Sequence, residues 1–151
     1  TEIKYEYVTE VIFGANNGDV HVVKTNTTEY QTKSVIISTG ASAKYLGLDD
    51  EKKYAGSGVS ACATCDGFFY RGKDVAVVGG GDTAAEEATY LAKLCNKVYL
   101  LVRKDEMRAS KAMQDRVAST PNLEVLYNHE LIGLEGDQVV EKAKIINNLT
   151  N

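Results

Sequence analysis

Three consecutive glycines lie in the run Val75-Ala76-Val77-Val78-Gly79-Gly80-Gly81-Asp82-Thr83-Ala84. The residues before them are apolar and predict a buried strand. The residues after them predict a helix over 82–95, because small or apolar side chains recur on one helical face: Ala84, Ala88, Leu91 and Cys95. This run therefore predicts a strand, a tight turn and a helix in direct succession.

The positions of the glycines predict a phosphate-binding turn. They fit the pattern GxGxxG/A, in which Gly79 permits the turn, Gly81 lets a pyrophosphate approach the backbone, and Ala84 lets helix and strand pack closely. The start of the helix adds free N–H groups and a partial positive charge. Thr83 is a candidate for a direct phosphate contact, whereas Asp82 is better suited to cap the helix. The alternative is an ordinary strand-to-helix turn with the same cap.

A basic loop follows the next predicted strand, residues 98–102. An NAD site would place a carboxylate there for the ribose 2′-hydroxyl, but three cations lie in this loop: Arg103, Lys104 and Arg108. The forked guanidinium of arginine suits a phosphate, and a 2′-phosphate distinguishes NADPH from NADH. The loop favours NADPH. The alternative is a solvated basic loop, partly neutralised by Asp105 and Glu106.

A second chemical feature is the run Cys62-Ala63-Thr64-Cys65-Asp66. Thiols spaced by three residues can close a small disulfide, and such motifs lower the pKa of the attacking thiol from about 8.5 towards 7. Asp66 could exchange the proton that this chemistry requires. The alternatives are buried inert thiols or structural zinc. Zinc would need two further ligands, and Cys95, His21 and His129 are not spaced to provide them, so we expect no metal.

The rest of the chain indicates an α/β fold. Residues 5–39 have a β pattern with a hairpin around residues 16–19, a third strand at 28–32 and a short buried strand at 35–37. Residues 41–60 predict a connection. A helix at 109–119, a strand at 123–127 and a hairpin at 131–146 complete the pattern. We expect a Rossmann-like parallel sheet with helices on one face and an antiparallel β-meander on the other, preceded by a β-rich segment.

Composition narrows the function classes. The chain has 151 residues, 44% of them hydrophobic and 25% charged, which suits one domain or one domain plus part of another. A net charge of −4 argues against nucleic acid as a partner. No apolar run is long enough for a bilayer, and the N-terminal run has neither the shape of a signal peptide nor an initiator Met. We expect a cytoplasmic oxidoreductase that does not bind membranes, expressed as a fragment.

Three segments together resemble the bacterial-type, low-molecular-weight thioredoxin reductases: residues 58–70 with CATCDG, residues 75–88, and residues 102–108. Ser38-Thr39-Gly40-Ala41 also resembles the segment that ends part of the FAD domain in that family, which makes Thr39 and Gly40 candidate flavin contacts. The resemblance covers nearly the whole chain. It implies that residues 1–45 are the end of the first FAD-domain segment. Residues 46–151 are then the NADPH-binding domain, truncated before its last strand.

The same resemblance implies an electron path from NADPH to FAD, from FAD to a Cys62–Cys65 disulfide, and from the dithiol to thioredoxin. It places Cys65 next to the flavin, makes Cys62 the thiol that attacks thioredoxin, and makes Asp66 the general acid. The three loop cations match the basic 2′-phosphate residues of the family, although the family usually has His at Val102 and Arg at Lys104. The resemblance further implies that the full-length protein is a homodimer whose NADPH domain rotates against its FAD domain.

The resemblance leads to two structural expectations and leaves alternative functions open. We expect the chain alone to hold no stable FAD and to be inactive, and residues 35–39 to fill a vacant sheet position beside residues 75–78. One alternative is the flavoprotein subunit of alkyl hydroperoxide reductase, which normally lacks the Arg-rich loop. Another is a non-catalytic nucleotide-binding module that senses redox state. Ferredoxin- or flavodoxin-reducing homologues lack the CxxC motif.

Overall fold

The first part of the chain is a small antiparallel sheet. The structure, a computed structural model, describes residues 2–150, and its internal contacts divide the chain into two units, Thr1–Ser42 and Ala43–Asn151. In the first unit, β1 (Val8–Ile12), β2 (His21–Thr25) and β3 (Glu29–Thr32) form an antiparallel sheet in that order. The hairpin between β1 and β2 turns where the amide of Asp19 donates to the carbonyl of Asn16 at 3.2 Å. The predicted hairpin and third strand are confirmed.

The predicted buried strand at residues 35–37 is wrong. Residues 34–48 contain no helix or strand, and the side chains of Ile36 and Ile37 are 90% and 68% exposed. Within the described residues β4 (Asp74–Val78) pairs only with β5 (Lys97–Val102), so the hypothesis that residues 35–39 fill the vacant position beside it is also wrong. A parallel strand needs neighbours that pair its backbone and cover both faces, and a short apolar run does not supply them.

The second unit is built on a three-stranded parallel sheet of order β4-β5-β6, with β6 at Leu123–Tyr127. Its helices are α1 (Asp49–Lys53), α2 (Ala63–Asp66), α3 (Asp82–Leu91) and α4 (Lys111–Ala118), and a 3-10 turn, Gly67–Tyr70, follows α2 directly. β7 (His129–Glu135) and β8 (Lys142–Asn147) form the predicted hairpin. The helix α3 is shorter than predicted, and α1 lies in the segment that we expected to be an irregular connection.

The core of this unit lies between the sheet and α3. Val98, Leu100 and Val102 of the central strand β5 are buried and pack with residues of α3 and α4: Ala85, Ala88, Leu91 and Val117. On the opposite face, side chains of the sheet line a groove with β8: Ala76, Tyr99, Leu101 and Leu126 with Ala143 and Ile145. Helices cover one face and an antiparallel hairpin takes the place of the meander on the other, so the predicted α/β fold is confirmed.

Candidate redox and nucleotide-binding site

The glycine-rich turn has the geometry that a phosphate-binding turn needs. Gly79 has a φ of +149°, and a Cβ built on it would lie 2.8 Å from the Cβ of Ala84, so both residues allow the helix to start close to the strand. Gly81 is the N-cap of α3, and a Cβ built on it would meet nothing within 4 Å. The first helical bond runs from the amide of Ala85 to Gly81 at 3.1 Å. The N–H groups before Ala85 therefore lack a helical partner and can receive a phosphate.

The prediction that Asp82 caps its own helix is wrong. The N-cap residue of α3 is Gly81, and Asp82 is the first residue inside the helix. Its Oδ1 instead accepts from the backbone N–H of Ser110 at 2.9 Å and from the Ser110 hydroxyl at 2.7 Å. These two donors hold the pKa of the Asp82 carboxyl below its usual range. Ser110 is the N-cap residue of α4, so Asp82 joins the starts of two helices that are distant in sequence. Thr83 is exposed in the first turn of α3.

The three loop cations lie at the carboxyl end of the sheet, beside the turn. The backbone N–H groups of Arg108 and Ala109 both donate to the carbonyl of Gly80, at 2.6 and 3.0 Å, which brings the loop to the glycines. Arg103, Lys104 and Arg108 are exposed, and within residues 2–150 none of them forms an ion pair, either with Asp105 and Glu106 or elsewhere. The open turn and the unpaired cations fit a dinucleotide that carries a 2′-phosphate.

Cys62 and Cys65 are joined in a disulfide, with their Cα atoms 5.3 Å apart. Cys62 is the N-cap residue of α2, and its carbonyl accepts from the amides of Cys65 and Asp66, each at 3.1 Å. Cys65 is exposed and Cys62 is half-buried, so the disulfide can be reached from solvent. The described residues contain no cluster of side chains that could hold a metal ion.

Ser60 is a site residue that the sequence analysis missed. Its hydroxyl donates to Oδ2 of Asp66 at 2.6 Å and accepts from the amide of Cys62 at 3.1 Å. It therefore connects the proposed general acid to the backbone of the first redox cysteine. A local signal existed, because Ser and Thr side chains often bond to the amide two residues further on.

The redox helix and the glycine-rich turn belong to one packed body. Ala63 of α2 is buried in the same core cluster as Ala85 and Ala88 of α3. A Cβ built on Gly67 would lie 3.0 Å from Cδ2 of Leu91, so the turn after α2 also packs closely against α3. The structure thus brings together the predicted cysteines, the glycine-rich turn and the basic loop. Thr39 and Gly40 lie exposed in the first unit, and their flavin contact stays a prediction.

Cys95 is a core residue, as predicted, but it lies in the turn after α3 and not on the inner face of a helix. Its thiol is free and buried, and it donates to the carbonyl of Tyr70 at 3.4 Å. Burial, with a smaller contribution from the charge of Asp74, raises the pKa of this thiol. A raised pKa lowers the thiolate fraction, which makes Cys95 a poor nucleophile.

Residues 2–150 match the family model described as pyridine nucleotide-disulphide oxidoreductase. The chain belongs to the pyridine nucleotide-disulphide oxidoreductase family. It is 44% identical over 134 residues to a thioredoxin reductase of Peptoclostridium acidaminophilum, covering 89% of this chain and 42% of that protein. It is 51% identical over 122 residues to a thioredoxin reductase of Dictyostelium discoideum, covering 80% of this chain and 38% of that protein.

Solved structures show the same likeness. The thioredoxin reductase of Lactococcus lactis superposes with a TM-score of 0.74 and 34% identity, covering 97% of this chain and 48% of that one. The resemblance predicted from the motifs is confirmed. The chain spans less than half the length of each of these three relatives. As for membranes, none of the helices in the described part is long and apolar enough to cross one.

Proposed function

We propose that this chain provides the NADPH-binding domain and the redox-active disulfide of a thioredoxin reductase. The observation that carries the proposal is the Cys62–Cys65 disulfide on a short helix that packs against α3, whose N-terminus forms the glycine-rich turn. The identity to curated thioredoxin reductases supports it. We further propose that the full-length protein is a cytoplasmic homodimer, with Thr39 and Gly40 in its flavin site, and that residues 1–45 and 46–151 belong to different cofactor domains.

The turn and the basic loop would divide the recognition of NADPH between them. Gly79, Gly81 and the free N–H groups at the start of α3, including that of Thr83, would receive the pyrophosphate. Arg103 and Arg108 would grip the 2′-phosphate with their forked donors, and Lys104 would add a point charge. When bound, NADPH and FAD supply the two electrons that open the disulfide. The chain's own residues then carry out the exchange with thioredoxin.

The resemblance to thioredoxin reductases implies a different role for each of the two cysteines. The thiolate of Cys62 attacks one sulfur of the thioredoxin disulfide, forms a mixed disulfide and expels one thioredoxin thiolate. The thiolate of Cys65 then attacks the sulfur of Cys62, re-forms the Cys62–Cys65 disulfide and releases the second thioredoxin thiolate. Asp66 would provide or take up the proton of these thiols, and Ser60 orients its carboxylate through the 2.6 Å hydrogen bond.

An exposed aromatic pair beside the disulfide favours a protein substrate over a small one. The side chains of Phe68 and Phe69, immediately after Asp66 and Gly67, are 66% and 75% exposed. The guanidinium of Arg71 lies 5.1 Å from the centre of the Phe68 ring. Aromatic side chains are enriched at protein interfaces, and two adjacent exposed rings offer such a contact surface. A thioredoxin molecule that presents its disulfide to Cys62 would cover them.

The test is reduction of thioredoxin by the full-length protein with NADPH and NADH compared. We expect NADPH-dependent reduction that is abolished in Cys62→Ser and in Cys65→Ser but retained in Cys95→Ser, because the Cys95 thiol is buried and takes no part in the disulfide. Failure to reduce thioredoxin with NADPH would overturn the proposal. A preference for NADH would instead favour the flavoprotein subunit of alkyl hydroperoxide reductase, which the three unpaired loop cations disfavour.

A further inference from the structure

The basic loop, residues 103–108, is anchored at its first end by two asparagines from the β7–β8 hairpin region. The side-chain Nδ2 of Asn148 donates to the carbonyl of Arg103 at 3.0 Å. The amide of Asn128, a residue with a φ of +57°, donates to the carbonyl of Lys104 at 3.0 Å. The amide of Asn148 in turn donates to the carbonyl of Asn128 at 2.7 Å. The three bonds form a chain that fixes the backbone of both cations.

The other end of the loop is anchored to the glycine-rich turn. The amides of Arg108 and Ala109 share the carbonyl of Gly80. Directly after them, the amide and hydroxyl of Ser110 donate to the carboxylate of Asp82. Between the two ends, the side chain of Met107 is buried in the core. The backbone of the loop is therefore held on both sides, while its three cationic side chains stay exposed and form no ion pair with any residue from 2 to 150.

We propose that Asn148 and the Asp82–Ser110 pair are positioning residues that set the preference of this site for a 2′-phosphorylated nucleotide. The inference rests on the proposed NADPH site and extends it. A loop that is already ordered loses less conformational entropy when its cations close on a phosphate. Asn148 acts through the Arg103 carbonyl, and its Nδ2 also donates to Oε1 of Glu130 at 2.9 Å, which holds the amide in place.

The experiment measures the contribution of the 2′-phosphate alone. Adenosine 2′,5′-bisphosphate and adenosine 5′-monophosphate are titrated calorimetrically into the full-length protein, and the ratio of their Kd values is compared between variants. Asn148→Ala removes the side-chain bond to the Arg103 carbonyl, and Ser110→Ala removes the hydroxyl bond to Asp82 while the amide bond stays; neither changes the charge. Asn147→Ala is the matched control, because Asn147 is the adjacent asparagine and its Oδ1 accepts from the amide of Leu149 at 2.9 Å. Amide hydrogen exchange at Asn128 gives a second measurement that needs no ligand.

In the wild type we expect clear preference for the bisphosphate. In Asn148→Ala and in Ser110→Ala this preference falls about three- to tenfold, the range expected for one lost hydrogen bond. Binding of the monophosphate changes less than about twofold, since the glycine-rich turn is intact. Exchange at the Asn128 amide accelerates in Asn148→Ala only. A preference that is unchanged in both variants, or equally reduced in Asn147→Ala, overturns the positioning role. A wild-type ratio near one overturns the proposed NADPH selectivity and this inference together.

Discussion

Adding a methyl group to Gly79 is expected to damage the fold. An alanine at this position must adopt a φ of +149°, and its Cβ must lie 2.8 Å from the Cβ of Ala84. The backbone strain costs about 1–3 kcal/mol and the forced contact costs about as much again. The more restricted unfolded chain returns only about 0.4–1 kcal/mol. We therefore expect Gly79→Ala to lower the free energy of unfolding by roughly 1–6 kcal/mol.

The same methyl group on Gly81 should leave stability almost unchanged. Gly81 has a φ of −99° and a ψ of 179°, which any residue adopts, and its built Cβ meets nothing within 4 Å. Alanine is a poorer N-cap than glycine by up to about 1 kcal/mol, and the gain from the unfolded chain offsets most of that. The methyl group would instead occupy the space where the pyrophosphate approaches. We expect binding of NADP⁺ to weaken on the order of tenfold or more, equivalent to at least about 1.4 kcal/mol.

Urea unfolding of the purified protein and calorimetric titration with NADP⁺ separate the two effects. Gly79→Ala should shift the unfolding midpoint strongly, whereas Gly81→Ala should keep the wild-type midpoint and lose affinity. An unshifted midpoint in Gly79→Ala would refute the argument from backbone strain and contact. Wild-type affinity in Gly81→Ala would show that the pyrophosphate does not pass over this glycine, and the assignment of the turn would then be wrong.

Three further substitutions test individual contacts. Ser60→Ala removes the 2.6 Å donor to Asp66. In the full-length protein, kcat for the proposed reduction of thioredoxin should then fall roughly two- to tenfold at constant KM for NADPH; an equal kcat would exclude a role in proton transfer. Both carboxylate oxygens of Glu51 accept from backbone N–H groups, three in all, at 2.7–2.9 Å. Glu51→Gln replaces one of these oxygens by an amide donor, so it should lower the free energy of unfolding by about 1–3 kcal/mol in urea titrations; an unchanged midpoint contradicts this. The pKa of Asp82 is lowered by the Ser110 donors, so the unfolded state binds the proton first as the pH falls. The ionised Asp82 carboxyl stabilises the fold fully above 3.8, its pKa in the unfolded chain, and this stabilisation is lost as the pH falls through the lower pKa of the folded state. The free energy of unfolding of wild type and of Asp82→Asn should therefore become more similar over that acid range. A difference that grows as the pH falls would mean that folding raises the pKa of Asp82 instead of lowering it.

Local signals predicted most of the second unit. The strand, turn and helix around Gly79 could be identified because the apolar periodicity changes from strand to helix across the glycines. The helix α1 could not be identified, because its sequence, DDEKK, has no apolar face. Distant contacts hold it instead: Oδ2 of Asp50 accepts from the amide of Leu134 at 2.9 Å, and the hydroxyl of Tyr54 donates to the carbonyl of Gly136 at 2.6 Å.

In the candidate site, the sequence predicts the residues that carry the chemistry but not the residues that orient them. The cysteines, glycines and cations carry their chemistry in their identity and spacing, so sequence alone could nominate them. The residues that orient them depend on pairings that only folding creates. Ser110 lies 28 residues from the Asp82 carboxylate that it contacts, and Asn148 lies 45 residues from the Arg103 carbonyl. Residues 35–37 show the opposite case. Their apolar side chains predict a strand, but within the described residues no neighbouring strand pairs with them.

Small residues explain why the disulfide and the glycine-rich turn form one body. Ala85 and Ala88 of α3 let Ala63 pack into the same core, and Gly67 lets the chain after α2 pass close to Leu91. Packed interiors of this kind do not deform gradually, so α2 cannot swing far while α3 stays in place. Any large displacement of the disulfide would therefore carry the packed unit with it, rather than the redox helix alone. The disulfide of the CATC motif is therefore held in a fixed position on α3 by the small side chains that pack beneath α2.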